Sequence, residues 1–349
     1  MISSWQDFLT QQGARIADGQ VVDFGHAAAE LAAAQNGTAL GGTVLADLSQ
    51  LGLLAFSGED TAEFLQSQFT NDVRGLHADG AAWNGYCSAK GRMLANFLMW
   101  KHGADTCLQL SGDLREPVLK RLKMFVLRSK TVGRDATDER VRLVLAGAQA
   151  EAALAAAGLP QPTGLMKTAA NENGLTVQIG PSKYVLSIAP EQASAIWTAL
   201  AKHATPVGTA VWDWLRLSGG IPMITAATQD EFVPQMVNWE ALGGVSFQKG
   251  CYPGQEIVAR TQYLGKLKRR MYLAHVDGGD IPKPGDNLYT PDMDGQASGK
   301  VVNAAPAPEG GFDLLAVAQI ESVATNQPIH LGAPDGLLLT LKPQPYALP

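Results

Sequence analysis

Strands and helices follow one another along this chain without strict alternation, and strands often come in adjacent pairs. That order constrains the fold more than any other feature. Strand patterns at 43–48 and 51–56 precede a helix opened by Ser57-Gly58-Glu59-Asp60, with Ala62, Leu65 and Phe69 at helical spacing. Residues 81–100 read as a hairpin closed by Ala89-Lys90-Gly91-Arg92, followed by a strand at 106–110. Pro117 starts an amphipathic helix carrying Val118, Leu122, Phe125 and Val126. Further strands fall at 141–145, 175–179 and 184–188, with helices at 149–157 and 191–203. An alanine-rich helix at 27–35 is expected to end at the turn pair Asn36-Gly37. Hairpins mixed with helices predict α+β architecture in antiparallel layers, and argue against a parallel doubly wound sheet. After Lys266 the chain changes to short strands separated by clusters such as Pro282-Lys283-Pro284-Gly285-Asp286, the pattern of a small β-barrel.

The 349 residues suffice for two or three domains. No apolar run approaches the roughly 20 residues that cross a bilayer. The start, Met1-Ile2-Ser3-Ser4-Trp5-Gln6-Asp7, lacks the cationic and apolar pattern of a signal peptide. Three separated cysteines suit a reducing compartment, so a cytoplasmic protein without a membrane partner is expected. A formal net charge of −6 disfavours general attraction to nucleic acid. The basic run Lys266-Leu267-Lys268-Arg269-Arg270 reads as a solvated strand entrance, because no aromatics interleave it. The six histidines form no short ligand pair and no C-x-x-C occurs, so no metal site is expected. Serine-hydrolase elbows, Walker loops and dinucleotide fingerprints are absent as well.

Chemistry concentrates in Lys249-Gly250-Cys251-Tyr252-Pro253-Gly254-Gln255-Glu256. Here a thiol sits between a cation and a carboxylate in a turn framed by glycines. A nearby ammonium favours the thiolate, and an exposed turn leaves it accessible. A buried structural cysteine is the competing reading.

The stretch from Phe232 to Arg260, with its K-G-C-Y-x-G-Q-E core, resembles the signature of the YgfZ family. Those are folate-binding proteins implicated in maintaining iron–sulfur proteins and related to the T-protein (aminomethyltransferase) of the glycine cleavage system. Fainter echoes lie at Phe64-Leu65-Gln66, Thr70-Asn71-Asp72-Val73, Lys90-Gly91-Arg92 and Arg216-Leu217-Ser218-Gly219-Gly220-Ile221-Pro222. The resemblance implies two interleaved antiparallel α/β layers plus a C-terminal β-barrel around a central folate opening. Divided along the chain, these become residues 1–136, 137–262 and 263–349. It further implies tetrahydrofolate held by Asn71, Asp72, Arg216, Lys249, Tyr252, Gln255, Glu256 and Arg260, with Cys251 as the reactive group. Iron–sulfur client proteins, including enzymes that thiolate tRNA, would be transient partners.

Two departures from the T-protein pattern matter. Its hairpin carries an acidic pair needed for methylene transfer, whereas this chain has Ala95 and Asn96. An amide has no titratable carboxylate and cannot serve as the acid–base group. The glutamate that T-proteins place after Arg-Leu is replaced by Ser218, which cannot reproduce a carboxylate's fork. A folate-dependent aminomethyltransferase and a non-catalytic interaction module remain the alternatives. Trp212, Trp214 and Trp239 are expected in the core.

Overall fold

A computed structural model describes residues 1–39 and 42–348. The chain divides into two compact units interleaved along the sequence. The first comprises Met1–Thr61, Leu76–Ala82 and Leu98–Trp212; the second comprises Ala62–Gly75, Trp83–Phe97 and Asp213 to the carboxy terminus.

The first unit is built on a six-stranded sheet. Its order is Thr168–Asn171, Gly174–Gly180, Lys183–Ile188, Val141–Gly147, Thr43–Asp47, Thr205–Val207. Every pair is antiparallel except the last, where Thr205–Val207 runs parallel to Thr43–Asp47. Alternate residues Leu143 and Leu145, and Tyr184, Leu186 and Ile188, project into one core. Helices Ser3–Gln11, Ala150–Ala156 and Pro190–Leu200 contribute Trp5, Leu9, Leu154, Ile196 and Trp197 to it. The Trp5 and Trp197 rings meet edge-on at 5.6 Å, and Trp5 Nε1 donates to Asp47 Oδ1 at 2.8 Å. Each fully buried large side chain in this layer contributes about 1.5–3 kcal/mol of burial free energy.

The second unit contains a seven-stranded sheet that curls on itself. Its order is Leu337–Leu338, His330–Leu331, Asn287–Tyr289, Ala297–Pro306, Phe312–Gln319, Arg269–Val276, Thr340–Leu341. The first and last strands are separated in sequence by Leu339 alone. One residue spans only about 3.5 Å, so the two edges of the sheet must come together. The interior is lined by small residues and branched aliphatics, including Ala274, Ala316, Ala318, Val276, Val301 and Leu314. The predicted barrel is therefore present. The first unit also pairs residues 98–102 with Asp105–Ser111, that strand with Leu51–Ser57, and Leu51–Ser57 with Val132–Asp135, all antiparallel.

The structure corrects several local expectations. The helix beginning at Ala27 continues to Ala39 through Asn36-Gly37. A glycine costs a helix about 1 kcal/mol relative to alanine, which does not stop a segment so rich in alanine. On the helix Arg115–Val126 only Val118 and Leu122 are buried, while Phe125 is exposed. Helices Ser3–Gln11, Thr209–Ser218 and Gln255–Tyr263 form where the sequence pattern predicts none. Among the described residues, no helix is long and apolar enough to cross a membrane.

Candidate functional site

The conspicuous octapeptide is a turn that feeds a helix. Gly254 caps the helix Gln255–Tyr263 in the left-handed region, with φ +79°. A Cβ at Gly254 would lie 2.4 Å from the Ser88 carbonyl oxygen and 2.5 Å from Gly91 Cα. Gly91, at φ +69°, is packed reciprocally: its Cβ would sit 2.9 Å from Ile257 Cβ and 3.1 Å from the Gly254 oxygen. The Lys90-Gly91-Arg92 turn and the Cys251 turn thus meet backbone against backbone, an approach only glycine permits. Both motifs are visible in the sequence, but their contact is not.

The hairpin turn is itself fixed. Gly91 N donates to Ser88 O at 2.9 Å and Ser88 N to Arg92 O at 2.8 Å. Ser88 Oγ donates to Asp230 Oδ1 at 2.7 Å, and Arg92 Nη1 donates to the Glu231 carbonyl. Met93 exchanges main-chain bonds with the segment that follows, donating to Phe232 O at 2.7 Å and accepting from Asp230 N at 2.8 Å.

Cys251 is exposed, whereas Cys87 and Cys107 are buried. Burial pushes the Cys107 thiol up to about 12 and the Cys87 thiol higher still, with Asp230 reinforcing the latter. Lys249 takes a different position from the one its place in sequence suggests. Its ammonium donates to the carbonyls of Gln66 and Phe69 and lies 4.8 Å from the centre of the Tyr252 ring. It anchors the turn to the end of the helix Thr61–Gln66. Burial lowers its pKa to about 8, opposed by the charges of Asp72 and Cys251. Tyr252 is buried, and burial pushes its phenol well above the usual range. Gln255 Nε2 reaches back to the Lys249 carbonyl at 3.5 Å. Glu256 and Arg260 are exposed on the helix.

Thr70, Asn71 and Asp72 form a tightly bonded helix exit. Asn71 Nδ2 donates to Trp83 O at 2.9 Å and to Gly243 O at 2.7 Å, and its Oδ1 accepts from Asp72 N at 2.8 Å. Thr70 Oγ1 donates to Gly244 O at 2.7 Å. The polar capacity of the Asn71 side chain is spent on main chain. The Asp72 carboxylate accepts from Gly75 N at 3.1 Å.

Arg216 is buried and holds the chain that follows its own helix. Its Nη1 donates to Ile221 O at 2.7 Å and to Asn303 Oδ1 at 3.1 Å; Nη2 lies 3.6 Å from Asp213 Oδ1; Nε is buried without an acceptor among the described residues. Desolvation raises the Asp213 pKa against the pull of Arg216. Asp213 did not stand out in the sequence, although its i,i+3 spacing from Arg216 was the available signal. Ser218 Oγ donates to Leu215 O at 3.1 Å, within its own helix.

Asn96 has a structural reason to be an amide. It is buried; Nδ2 donates to Pro222 O at 2.8 Å, and Oδ1 accepts from Ile224 N at 2.8 Å. An aspartate would leave one acceptor facing another. Trp212, Trp214 and Trp239 are all buried, as predicted, and Trp214 Nε1 donates to Asp313 Oδ2 at 2.9 Å. A second feature that the sequence does not reveal is the buried pair Glu240–Arg270, 2.9 Å apart, in which neither carboxylate oxygen accepts a well-aligned hydrogen bond among the described residues. No cluster of potential metal ligands occurs among the described residues.

Comparison with known proteins places this geometry in context. No family model matches the chain. It is 31% identical over 307 residues to the tRNA-modifying protein YgfZ of Sodalis glossinidius, covering 87% of this chain and 93% of that protein. The YgfZ proteins of Pectobacterium carotovorum and Escherichia coli O157:H7 are 30% and 32% identical over 308 residues, with 87% of this chain and 92% and 93% of theirs covered. Among solved structures, the glycine cleavage system aminomethyltransferase T from Bartonella henselae superposes with a TM-score of 0.79 over 98% of this chain and 97% of that one. At 17% identity that likeness establishes the fold. The sequence relationship goes further, and on it the chain belongs to the YgfZ family.

Proposed function

We propose that the protein binds reduced folate and serves tRNA modification by supporting the assembly or repair of iron–sulfur enzymes, with Cys251 as its reactive group. The observation that carries this reading is the presentation of Cys251: an exposed thiol on a turn held by backbone contact between Gly254 and Gly91. A structural cysteine needs neither exposure nor a rigid mount, whereas a thiolate that meets partners needs both. The Lys249 charge contributes a positive field at Cys251 below about pH 8, while its hydrogen bonds hold the turn in place. The thiolate's lone pair would then contact iron in a client's cluster.

Folate is supported by family membership and by one unfilled donor. The buried Arg216 Nε–H lacks an acceptor among the described residues, and the Asp213 carboxylate beside it is partly exposed. Together they offer a donor and an acceptor, as the edge of a pteridine requires. Asn71 would act by shaping the turn, since its amide is already committed, and Asp72 keeps a partly exposed carboxylate. Glu256 and Arg260 keep their side chains in solvent. When bound, reduced folate supplies a one-carbon carrier. An aminomethyltransferase reading is disfavoured, because Ala95 and the doubly bonded Asn96 put no acid–base group at those two positions.

Calorimetry with tetrahydrofolate should show saturable one-to-one binding, weakened by Arg216→Lys, which removes the Nε donor. Cys251→Ser should keep the fold and the folate affinity while failing to restore iron–sulfur enzyme activity in cells lacking the protein. Undetectable folate binding, or full restoration by Cys251→Ser, would refute the assignment.

A further inference from the structure

The surface beside the Cys251 turn carries a concentration of charge that its sequence neighbourhood does not reveal. Contact of Gly91 with Gly254 and Ile257 brings Lys90 next to the start of the helix Gln255–Tyr263. From there the helix and the segment after it add Arg260, Lys266 and Lys268. All four cations are exposed, and none is held in an ion pair among the described residues. Of the nearby carboxylates, Glu231 is paired with Lys300, while Asp230, which accepts from the neutral Ser88 hydroxyl, and Glu256 keep their charge, two against four cations. Farther along the chain, Arg270 is engaged by Glu240 and Asn238. On a chain of net charge −6, this face stands out as positive.

No aromatic residues interleave the basic run at 266–270 along the sequence. The structure supplies them. Tyr263 is 68% exposed at the end of the helix, and Phe247 braces it edge-on at 5.8 Å between ring centres. Leu264, 86% exposed, follows it. A braced, open aromatic ring followed by exposed cations is an arrangement suited to a single strand, with the backbone on the cations and a base on the ring. Three of the four cations are lysines, which protein interfaces deplete and which bind phosphates as point charges. That composition favours a polyphosphate chain over an acidic protein. We propose that Lys90, Arg260, Lys266, Lys268 and Tyr263 form a docking surface for single-stranded RNA adjoining the Cys251 turn. This deepens the tRNA-modification reading above and rests on it.

The test is fluorescence anisotropy with a short labelled oligouridylate and with an unmodified tRNA transcript, across about 50 to 200 mM KCl. Four phosphate contacts predict a slope of log K against log salt of about −2.8. Lys266→Ala with Lys268→Ala should weaken binding and reduce the slope by about 1.4. Tyr263→Ala should cost roughly tenfold in affinity without changing the slope. Lys120→Ala with Lys123→Ala, on the helix Arg115–Val126, should change neither. No binding at low salt would overturn the proposal, as would indifference to Tyr263→Ala or equal loss from the Lys120 and Lys123 variant. Poly-glutamate or anionic vesicles bound as tightly as RNA would also overturn it. If RNA binding fails while folate titrates and Cys251 is required in cells, this surface is refuted and the proposed function stands. If RNA binds as described but folate does not, the reverse holds.

Discussion

Replacing Gly254 by alanine tests the coupling of the two motifs directly. At φ +79° a Cβ is strained even in open space, by about 1–2 kcal/mol. Space is also lacking: the new methyl would lie 2.4 Å from Ser88 O and 2.5 Å from both Gly91 Cα and Gly91 N. All three are backbone atoms, so no rotamer change relieves the clash, and forced overpacking adds about 1–3 kcal/mol. The expected loss is therefore about 2–5 kcal/mol, a large share of the roughly 5–15 kcal/mol that holds a typical domain folded. Gly250 provides the control. It lies on the other side of Cys251, has no atom of the described residues beyond its chain neighbours within 4 Å of its would-be Cβ, and is not at positive φ. Gly250→Ala should stay within about 0.5 kcal/mol of wild type. Urea unfolding followed by circular dichroism measures both variants, and iodoacetamide kinetics at Cys251 report whether the turn has moved. A Gly254→Ala protein as stable as wild type, or a Gly250→Ala protein equally damaged, would refute backbone contact as the mount for the thiol.

Three further outcomes follow from the geometry. Native protein should incorporate one equivalent of iodoacetamide, at Cys251, and three after denaturation; early labelling of Cys87 or Cys107, read by mass spectrometry, would contradict their burial. Asn96→Asp should lose about 2–4 kcal/mol near neutral pH, because the carboxylate opposes the Pro222 carbonyl, and should gain no methylene transfer. Burial raises the new carboxyl's folded pKa, so the deficit should shrink as pH falls and the protonated acid regains a donor; a deficit independent of pH would contradict this. Lys249, lowered to about 8 from an unfolded value near 10.5, makes the stability of wild type relative to Lys249→Met rise between those pH values. The penalty for its buried charge is complete below about pH 8 and gone above the unfolded pKa, so a flat difference in urea titrations across that window would refute it.

The sequence by itself determined the α+β class, the barrel after Lys266, the burial of the three tryptophans and the octapeptide that carries Cys251. Each of these is written locally, in strand and helix periodicity, in Gly/Pro punctuation, or in a motif of unusual composition. The tertiary structure alone decided what those pieces do to one another. It packed Gly91 against Gly254 across more than 160 residues of chain, turned Lys249 onto the Gln66 and Phe69 carbonyls, and spent Asn71 and Asn96 on main-chain groups. It also left Phe125 in solvent where helical spacing placed it in the core. Local pattern records which residues share a face, because periodicity depends only on neighbours along the chain. Which donor meets which acceptor depends on loop closures whose cost grows only slowly with length, so a partner far away in sequence is nearly as accessible as a close one. Sequence spacing therefore carries little trace of those partners, and the chemistry of the Cys251 turn became legible only when the chain was folded.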